Sequence, residues 1–306
     1  MAAKLEIDLN AFGLWLTEHA QRVETTLEEL LPDGEVAPEP LHQAMRWAVL
    51  GGGKRVRAAM VYAAAYACHP QLDPAAQQAL DRAAAAVELV HAYSLIHDDL
   101  PCMDDDTMRR GKAATHVQFG EAMALLAGDA MQPLAFEWLA GMAISPALVV
   151  QAVHALAAAI GSDGMAGGQA IDLLSTGESI DELALASMHA KKTGALMAAS
   201  LQLGAIVVGA GSAQRNALRT YAEAIGLAFQ VVDDVLDATS ASERLGKTAG
   251  KDIASDKATY VSLMGVDRAR ELADELAQRA QAAASDFGRP GERLVALAQF
   301  VVRREF

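Results

Sequence analysis

The segment DPAAQQALDRAAAAVELVHAYSLIHDDLPCMDDDTMRRG, residues 73–111, decides how the rest of the chain is read. It opens with an N-cap aspartate and a proline at the first helical position, Asp73 and Pro74. Over residues 74–99 apolar side chains recur every three or four positions, which predicts a helix, and the many alanines favour that state. The helix runs into five aspartates within nine positions: Asp98, Asp99, Asp104, Asp105 and Asp106. Arg109 and Arg110 follow at once. Pro101 cannot continue the helix without losing a hydrogen bond and clashing with the preceding turn. The chain is therefore expected to loosen near Leu100, and the Pro-Cys-Met excursion to bring Asp104 back toward Asp98. On an unbroken helix, Asp104 would lie well off Asp98's face.

Outward from this segment the same period recurs over residues 12–31, 41–67, 115–142, 147–160, 180–208, 213–236, 266–284 and 291–304. No period-two run of β-branched residues asks for a strand. Breaks are expected at 32–40, 161–168 and 285–291, and no Ser/Gly-rich linker divides the chain, so the expectation is one all-α domain over residues 1–306. The 25 Lys and Arg against 39 Asp and Glu give a net charge of −14, which argues against nucleic acid and anionic lipid surfaces as partners. Cys68 and Cys102 are too few for a disulfide scaffold and lack metal-site spacing, which fits a reducing, cytoplasmic setting. The N-terminus mixes charges into its apolar pattern from Lys4 onward, unlike a signal peptide. Residues 138–162 and 193–214 lack Asp, Glu, Lys and Arg. However, Pro146, Gln151 and His154 in the first, and Ser200 and Gln202 in the second, favour buried helices over a membrane span.

A second acidic cluster, FQVVDDVLD at 229–237, supplies Asp233, Asp234 and Asp237. Asp233 and Asp237 share a helix face, with Gln230 one turn earlier. Both clusters close long apolar helices, where crowded carboxylates repel unless a cation sits among them. Oxygen donors without His or Cys suit Mg²⁺, or Mn²⁺, better than zinc. The consecutive aspartates, with no bidentate Glu at the required interval, do not make an EF-hand.

Cations occur in compact groups. GGGKRVR carries Lys54, Arg55 and Arg57; HAKKTGAL carries Lys191, Lys192 and Thr193; and residues 239–257 hold Lys247, Lys251 and Lys257. A glycine-rich turn beside Lys and Arg can offer backbone N–H groups to phosphate, although GGGKR is not a Walker A loop. The stretch 239–257 has the length and polarity of a functional loop.

Taken in order, GGGKRVR, HAYSLIHDDLPCMDDDTMRRG, THVQFGEAMALLAGDA, GGQAIDL, HAKKTGAL, GLAFQVVDDVLD and LGKTAGKDIASDKATY make residues 51–260 similar to the short-chain trans-isoprenyl diphosphate synthases. Within that family the sequence most resembles the bacterial farnesyl diphosphate synthases. The resemblance implies the all-α isoprenoid synthase bundle around a deep central cavity, assembled as a homodimer. It implies magnesium-dependent condensation of isopentenyl diphosphate with dimethylallyl and geranyl diphosphate to give farnesyl diphosphate. By position in the motifs, Asp98 and Asp104 would bind two Mg²⁺ ions and Asp233 a third, supported by Asp99 and Asp237. Arg109, Lys192, Lys247 and Lys257 would hold the allylic diphosphate, and Lys54, Arg57, His91 and Arg110 isopentenyl diphosphate. Thr193 and Gln230 would offer oxygens to the developing allylic cation. Gln169 and Asp172 lie in a motif that lines the cavity or packs helices.

Tyr93, five residues before Asp98, and its neighbour Ser94 fall where the family sets chain length. In the bacterial branch an aromatic at the Tyr93 position accompanies the fifteen-carbon product, and smaller residues accompany geranylgeranyl products. In the family the released pyrophosphate takes the final proton. Two positions depart from the common pattern: Ala58 and Val261 stand where proline is frequent, and neither bears chemistry. A geranyl or geranylgeranyl diphosphate synthase is the alternative product reading. A terpene cyclase usually alters the second aspartate motif and lacks the isopentenyl diphosphate cations, and a non-catalytic regulatory partner of a synthase tends to lose aspartates that this chain retains.

Overall fold

The computed structural model describes residues 9–178, 180–239 and 258–303. The first helices are α1 (Leu9–Leu30), α2 (Glu39–Val49), α3 (Val56–Cys68) and α4 (Pro74–Asp98). A short hairpin, β1 (Met108–Arg109) and β2 (Lys112–Ala113), separates them from α5 (Thr115–Phe119), α6 (Glu121–Ala140), α7 (Pro146–Ile160) and α8 (Met165–Leu174). Then come α9 (Glu182–His189), a π-helical turn (Ala190–Gly194), α10 (Ala195–Val207) and α11 (Ser212–Thr239). Beyond residue 257 lie α12 (Tyr260–Met264), α13 (Val266–Ser285) and α14 (Glu292–Arg303). The all-α expectation holds, with the hairpin as its one correction among the described residues. Asp73 caps α4 as predicted, its carboxylate accepting from the Ala76 N–H at 2.8 Å.

Helix α3 is buried on nearly every side, because it stands between two halves of the apolar core. Val61, Tyr62 and Ala65 face the half built by α2, α4, α6 and α7. Met60, Ala63 and Ala64 face the half built by α11, α13 and α14. Helix α10 packs closely beside α3: a Cβ on Gly204 would lie 2.1 Å from the Val61 carbonyl oxygen, so only glycine permits that approach. In α4, Ala83–Ala86 are fully buried, and these short side chains let the helix sit deep in the bundle.

Three helix boundaries differ from the sequence expectation, each for a local reason. The run 41–67 is two helices, because Gly51, Gly52 and Gly53 adopt φ of 107°, 94° and 116°. The run 115–142 breaks at Gly120, which has φ of 84°. The expected break at 161–168 ends early, and GGQAIDL is helical within α8. Its glycine at 168 serves contact instead of a turn, since a Cβ there would meet the Lys192 backbone nitrogen at 2.2 Å. Pro146–Leu174 is apolar and long enough to cross a membrane by length and composition alone. It is, however, divided into α7 and α8 by the turn at 161–164.

Candidate active site

The end of α4 behaves as Pro101 dictates. The Asp99 N–H still donates to Leu95 O at 3.0 Å, but the Asp104 N–H donates to Asp98 O at 2.9 Å, six residues back. Asp105, with φ of 51°, completes the reversal. Asp98 and Asp104 are thus brought together by backbone geometry that a regular helix could not supply. Burial pushes the Asp98 carboxyl up to about 6; the Lys192 cation opposes the shift and the neighbouring Asp104 adds to it.

The arginines that follow are splayed by the hairpin. Met108 pairs with Ala113 and Arg109 with Lys112, leaving Arg110 and Gly111 as a two-residue turn with φ of 52° and 75°. Consecutive residues there diverge. The Arg109 guanidinium donates to buried Asp99, with Nε at 3.0 Å, and lies 3.4 Å from Asp106. The Arg110 guanidinium lies instead beside Gly53. Lys112 pins the same region by donating to Leu50 O at 3.0 Å and to Trp47 O at the end of α2.

Opposite α4, the π-helical turn inserts an extra residue per turn and carries Lys191, Lys192 and Thr193. Lys192 Nζ donates to Asp172 of α8 at 2.6 Å. The Thr193 hydroxyl donates to Gln230 Oε1 at 3.3 Å, which links this turn to the second acidic cluster. Gln230 Nε2 in turn donates to Asp234 at 2.9 Å, and the other Asp234 oxygen accepts from the Tyr260 N–H at 2.8 Å. Asp234 therefore fixes the Gln230 amide with its carbonyl toward Thr193, a role sequence spacing did not reveal. Asp233 is half-buried; Asp237 is buried, and one of its carboxylate oxygens has no hydrogen-bond partner among the described residues. Lys247, Lys251 and Lys257 lie outside the described residues.

Two cavities meet in this region. The first, about 420 Å³, has Asp98, Lys192 and Thr193 around it, apolar walls from Met165, Leu173 and Leu196, and Tyr93 and Ser94 deeper on α4. Gln169 lines it, with both amide atoms buried and unpartnered among the described residues. The second cavity, about 300 Å³, is strongly basic and is bounded by Lys54, Arg57 and Arg110, with Phe229 and Phe300 as walls. Arg57 and His91 line both. Burial and the nearby Arg57 and Arg110 charges hold His91 neutral, as a hydrogen-bonding group and not a cation. Lys54 Nζ lies 5.5 Å from the Phe300 ring centroid, so α14 closes one side of the basic cavity.

The Gly51 and Gly52 N–H groups do not face a phosphate position. They donate to Glu24 of α1, at 2.9 and 3.3 Å. Arg55 is likewise turned inward, its side chain only 2% exposed. Nothing local in the sequence pairs residue 24 with residue 55.

Behind the π-helical turn, His189 is buried against Tyr260, and neither ring nitrogen has a partner among the described residues. Burial lowers its pKa from 6.5 to about 4, partly offset by Asp172. The folded value lies below the unfolded one, so this contribution to stability is full above pH 6.5 and is lost as pH falls through 4. His189→Phe is expected to remove a share of acid destabilisation on the order of 3 kcal/mol between those limits. Urea unfolding at pH 7 and pH 4.5 checks this; equal pH dependence in both proteins would contradict it.

Among the described residues, no three His, Cys, Asp or Glu side chains stand close enough to hold an ion alone. The carboxylates of Asp98 and Asp104 at the end of α4 are oxygen donors that would suit magnesium, which is commonly held by one or two carboxylates together with substrate phosphates.

The chain has similar proteins along nearly its whole length. The chloroplastic geranylgeranyl pyrophosphate synthase of Capsicum annuum is 43% identical over 99% of this chain and 81% of its own length. A probable farnesyl diphosphate synthase of Bradyrhizobium diazoefficiens is also 43% identical, over 94% of this chain and 86% of its own. Several further plant geranylgeranyl pyrophosphate synthases show comparable identity. A geranyltransferase from Helicobacter pylori, solved with magnesium and isoprenyl diphosphate, superposes with a TM-score of 0.85 at 30% identity, covering 95% of this chain and 97% of that one. The polyprenyl synthetase family model matches residues 38–288. On this match, and on a fold shared along nearly its whole length with an isoprenyl-transferring enzyme, the chain belongs to the polyprenyl synthetase family of prenyltransferases.

Proposed function

We propose that the protein condenses isopentenyl diphosphate with dimethylallyl and then geranyl diphosphate, releasing farnesyl diphosphate. The observation that carries this reading is the pair of adjoining cavities that share Arg57 and His91. One has Asp98 and Lys192 in its lining beside apolar walls, as suits an allylic diphosphate. The other is basic and free of metal-ligating carboxylate clusters, as suits a diphosphate held by cations alone.

Asp98 and Asp104 on one side, and Asp233 on the other, would hold magnesium, with three ions expected. When bound with the diphosphate, magnesium supplies Lewis-acid neutralisation of the charge that grows on the leaving group. Arg109 and Lys192, positioned by Asp99 and Asp172, add fixed positive charge there, together with Lys247 and Lys257. Thr193 and Gln230 turn oxygen atoms toward the allylic carbon, Gln230 through its bond to Asp234. Lys54, Arg57, His91 and Arg110 hold isopentenyl diphosphate so that its double bond attacks the cation from the adjoining cavity. The apolar walls exclude the water that would otherwise quench the cation. Loss of a proton to the departing pyrophosphate restores an alkene.

The plant relatives favour a second product, geranylgeranyl diphosphate, and Tyr93 favours farnesyl. Tyr93 is 6% exposed, and its hydroxyl accepts from Gln132 of α6 at 3.3 Å, which ties it to that helix.

Leu125 and Leu126 on α6 and Val150 on α7 are exposed, which supports a homodimer through these helices. A sedimenting mass of one chain would contradict that assembly. The free thiols of Cys68 and Cys102 fit a cytoplasmic setting. Pyrophosphate release from isopentenyl plus dimethylallyl diphosphate, abolished by a chelator and restored by magnesium, tests the activity. Release without carbon–carbon bond formation would overturn it.

A further inference from the structure

We propose that Glu24 of α1 is a positioning residue for the isopentenyl diphosphate half of the site, shaping the GGGKR loop so that Lys54 faces the basic cavity. The inference rests on the reading of that cavity given above. Glu24 lies outside the residues matched by the family model and is absent from the cavity lining, so any effect it has on substrate passes through the loop.

The loop cannot hold its own shape. Gly51, Gly52 and Gly53 all have positive φ, and Arg55, which bears a Cβ, sits at φ 46°. Two carboxylates, half-buried Glu24 and buried Glu88, hold this conformation. Glu24 Oε1 accepts from the Gly51 and Gly52 N–H groups, and Glu24 Oε2 accepts from Arg55 Nε at 3.1 Å and Nη2 at 2.5 Å. On the far side, Arg55 Nη1 donates to Glu88 Oε2 at 3.2 Å, and Glu88 Oε1 accepts from the Ala58 N–H at 3.0 Å. Arg55 Nη2 also donates to Val49 O at 2.6 Å, tying the loop to the end of α2. Lys54 and Arg57 flank this clamped residue and line the cavity.

Charge gives the clamp a second role. Arg55 stands near Arg110, whose charged form burial and Arg55 both disfavour. Glu24 and Glu88 neutralise Arg55, which keeps its charge from adding to the crowding of Lys54, Arg57 and Arg110 around the cavity. A carboxylate suits this position because all of its hydrogen-bonding capacity is acceptor, and its neighbours are donors only. In Glu24→Gln the amide oxygen can keep the glycine N–H groups, but the NH₂ group would confront the Arg55 donors.

Steady-state kinetics with each substrate varied in turn tests the clamp. Glu24→Gln is expected to raise the KM for isopentenyl diphosphate about tenfold, with the allylic KM and kcat within about twofold. Arg22→Gln is the control: Arg22 lies on the same helix and pairs with Asp81 at 2.6 Å, away from the loop. It should leave both KM values unchanged. Should Glu24→Gln fold poorly, Glu24→Asp keeps the charge but withdraws the carboxylate by one methylene from the loop, and should show the same split in smaller measure. An unchanged KM for isopentenyl diphosphate, a parallel rise in both KM values, or the same rise in Arg22→Gln would overturn the proposal. A wild-type protein that does not condense isopentenyl diphosphate would remove the parent reading and this one together. An active wild type with an unaffected Glu24→Gln would remove this one alone.

Discussion

Asp98→Ala and Asp233→Ala are each expected to lower turnover by about 10³-fold or more, with the helical content retained. The reason is where the two residues stand. Asp98 ends α4 at the mouth of the larger cavity, with Asp104 turned back toward it. Burial already raises its carboxyl to about 6, so the folded protein gains little from its charge without a bound cation. Removing it relieves electrostatic crowding while deleting a ligand for the leaving group's counter-ion. Stability should therefore hold or rise as activity collapses, and circular dichroism beside the turnover assay separates the two. Asp234 sets the contrast. It is committed to Gln230 and the Tyr260 N–H, so its loss should disturb structure as well as rate. Activity within about tenfold of wild type in Asp98→Ala would contradict a metal-binding role there.

Tyr93→Ala is expected to shift the main product from fifteen to twenty carbons or longer. Tyr93 lies five residues before Asp98, about 7.5 Å deeper along the helix axis, in the wall of the same cavity. Its ring packs edge-on against His97 with centroids 5.9 Å apart, and its hydroxyl is tied to Gln132. The side chain is therefore fixed on both sides and cannot swing aside for a longer chain. Truncation to alanine opens space toward α6, where the next isoprene unit would lie. Product sizing after dephosphorylation checks this. An unchanged chain-length distribution would place the floor elsewhere, with Ser94 and Leu173 the next residues to vary.

The candidate site residues were legible where their signal is local. Pro101 forecasts the end of α4 and the return of Asp104, and the Asp98–Asp104 backbone hydrogen bond is that forecast realised. The helical period around Gln230 and Asp233 places both on α11. What stayed hidden depends on partners far apart in sequence. Glu24 holds a loop 27 residues away, and Phe300 covers Lys54 from the last helix. Glycine misled in both directions. In GGGKRVR it marks a true turn that divides a run read as one helix. At Gly168 it marks close contact within a helix that was read as a break. The hairpin was missed because two-residue strands leave no alternating pattern to detect. Its turn at Arg110 and Gly111 is nevertheless what parts the two arginines, Arg109 going to Asp99 and Arg110 to the basic cavity.

The central claim is a metal-assisted condensation whose product length is limited by Tyr93. The most direct test supplies purified protein with magnesium, geranyl diphosphate and excess isopentenyl diphosphate, and sizes the dephosphorylated products. A fifteen-carbon alcohol as the main product, formed with stoichiometric pyrophosphate, is the predicted result. A twenty-carbon main product, or no new carbon–carbon bond, would contradict it.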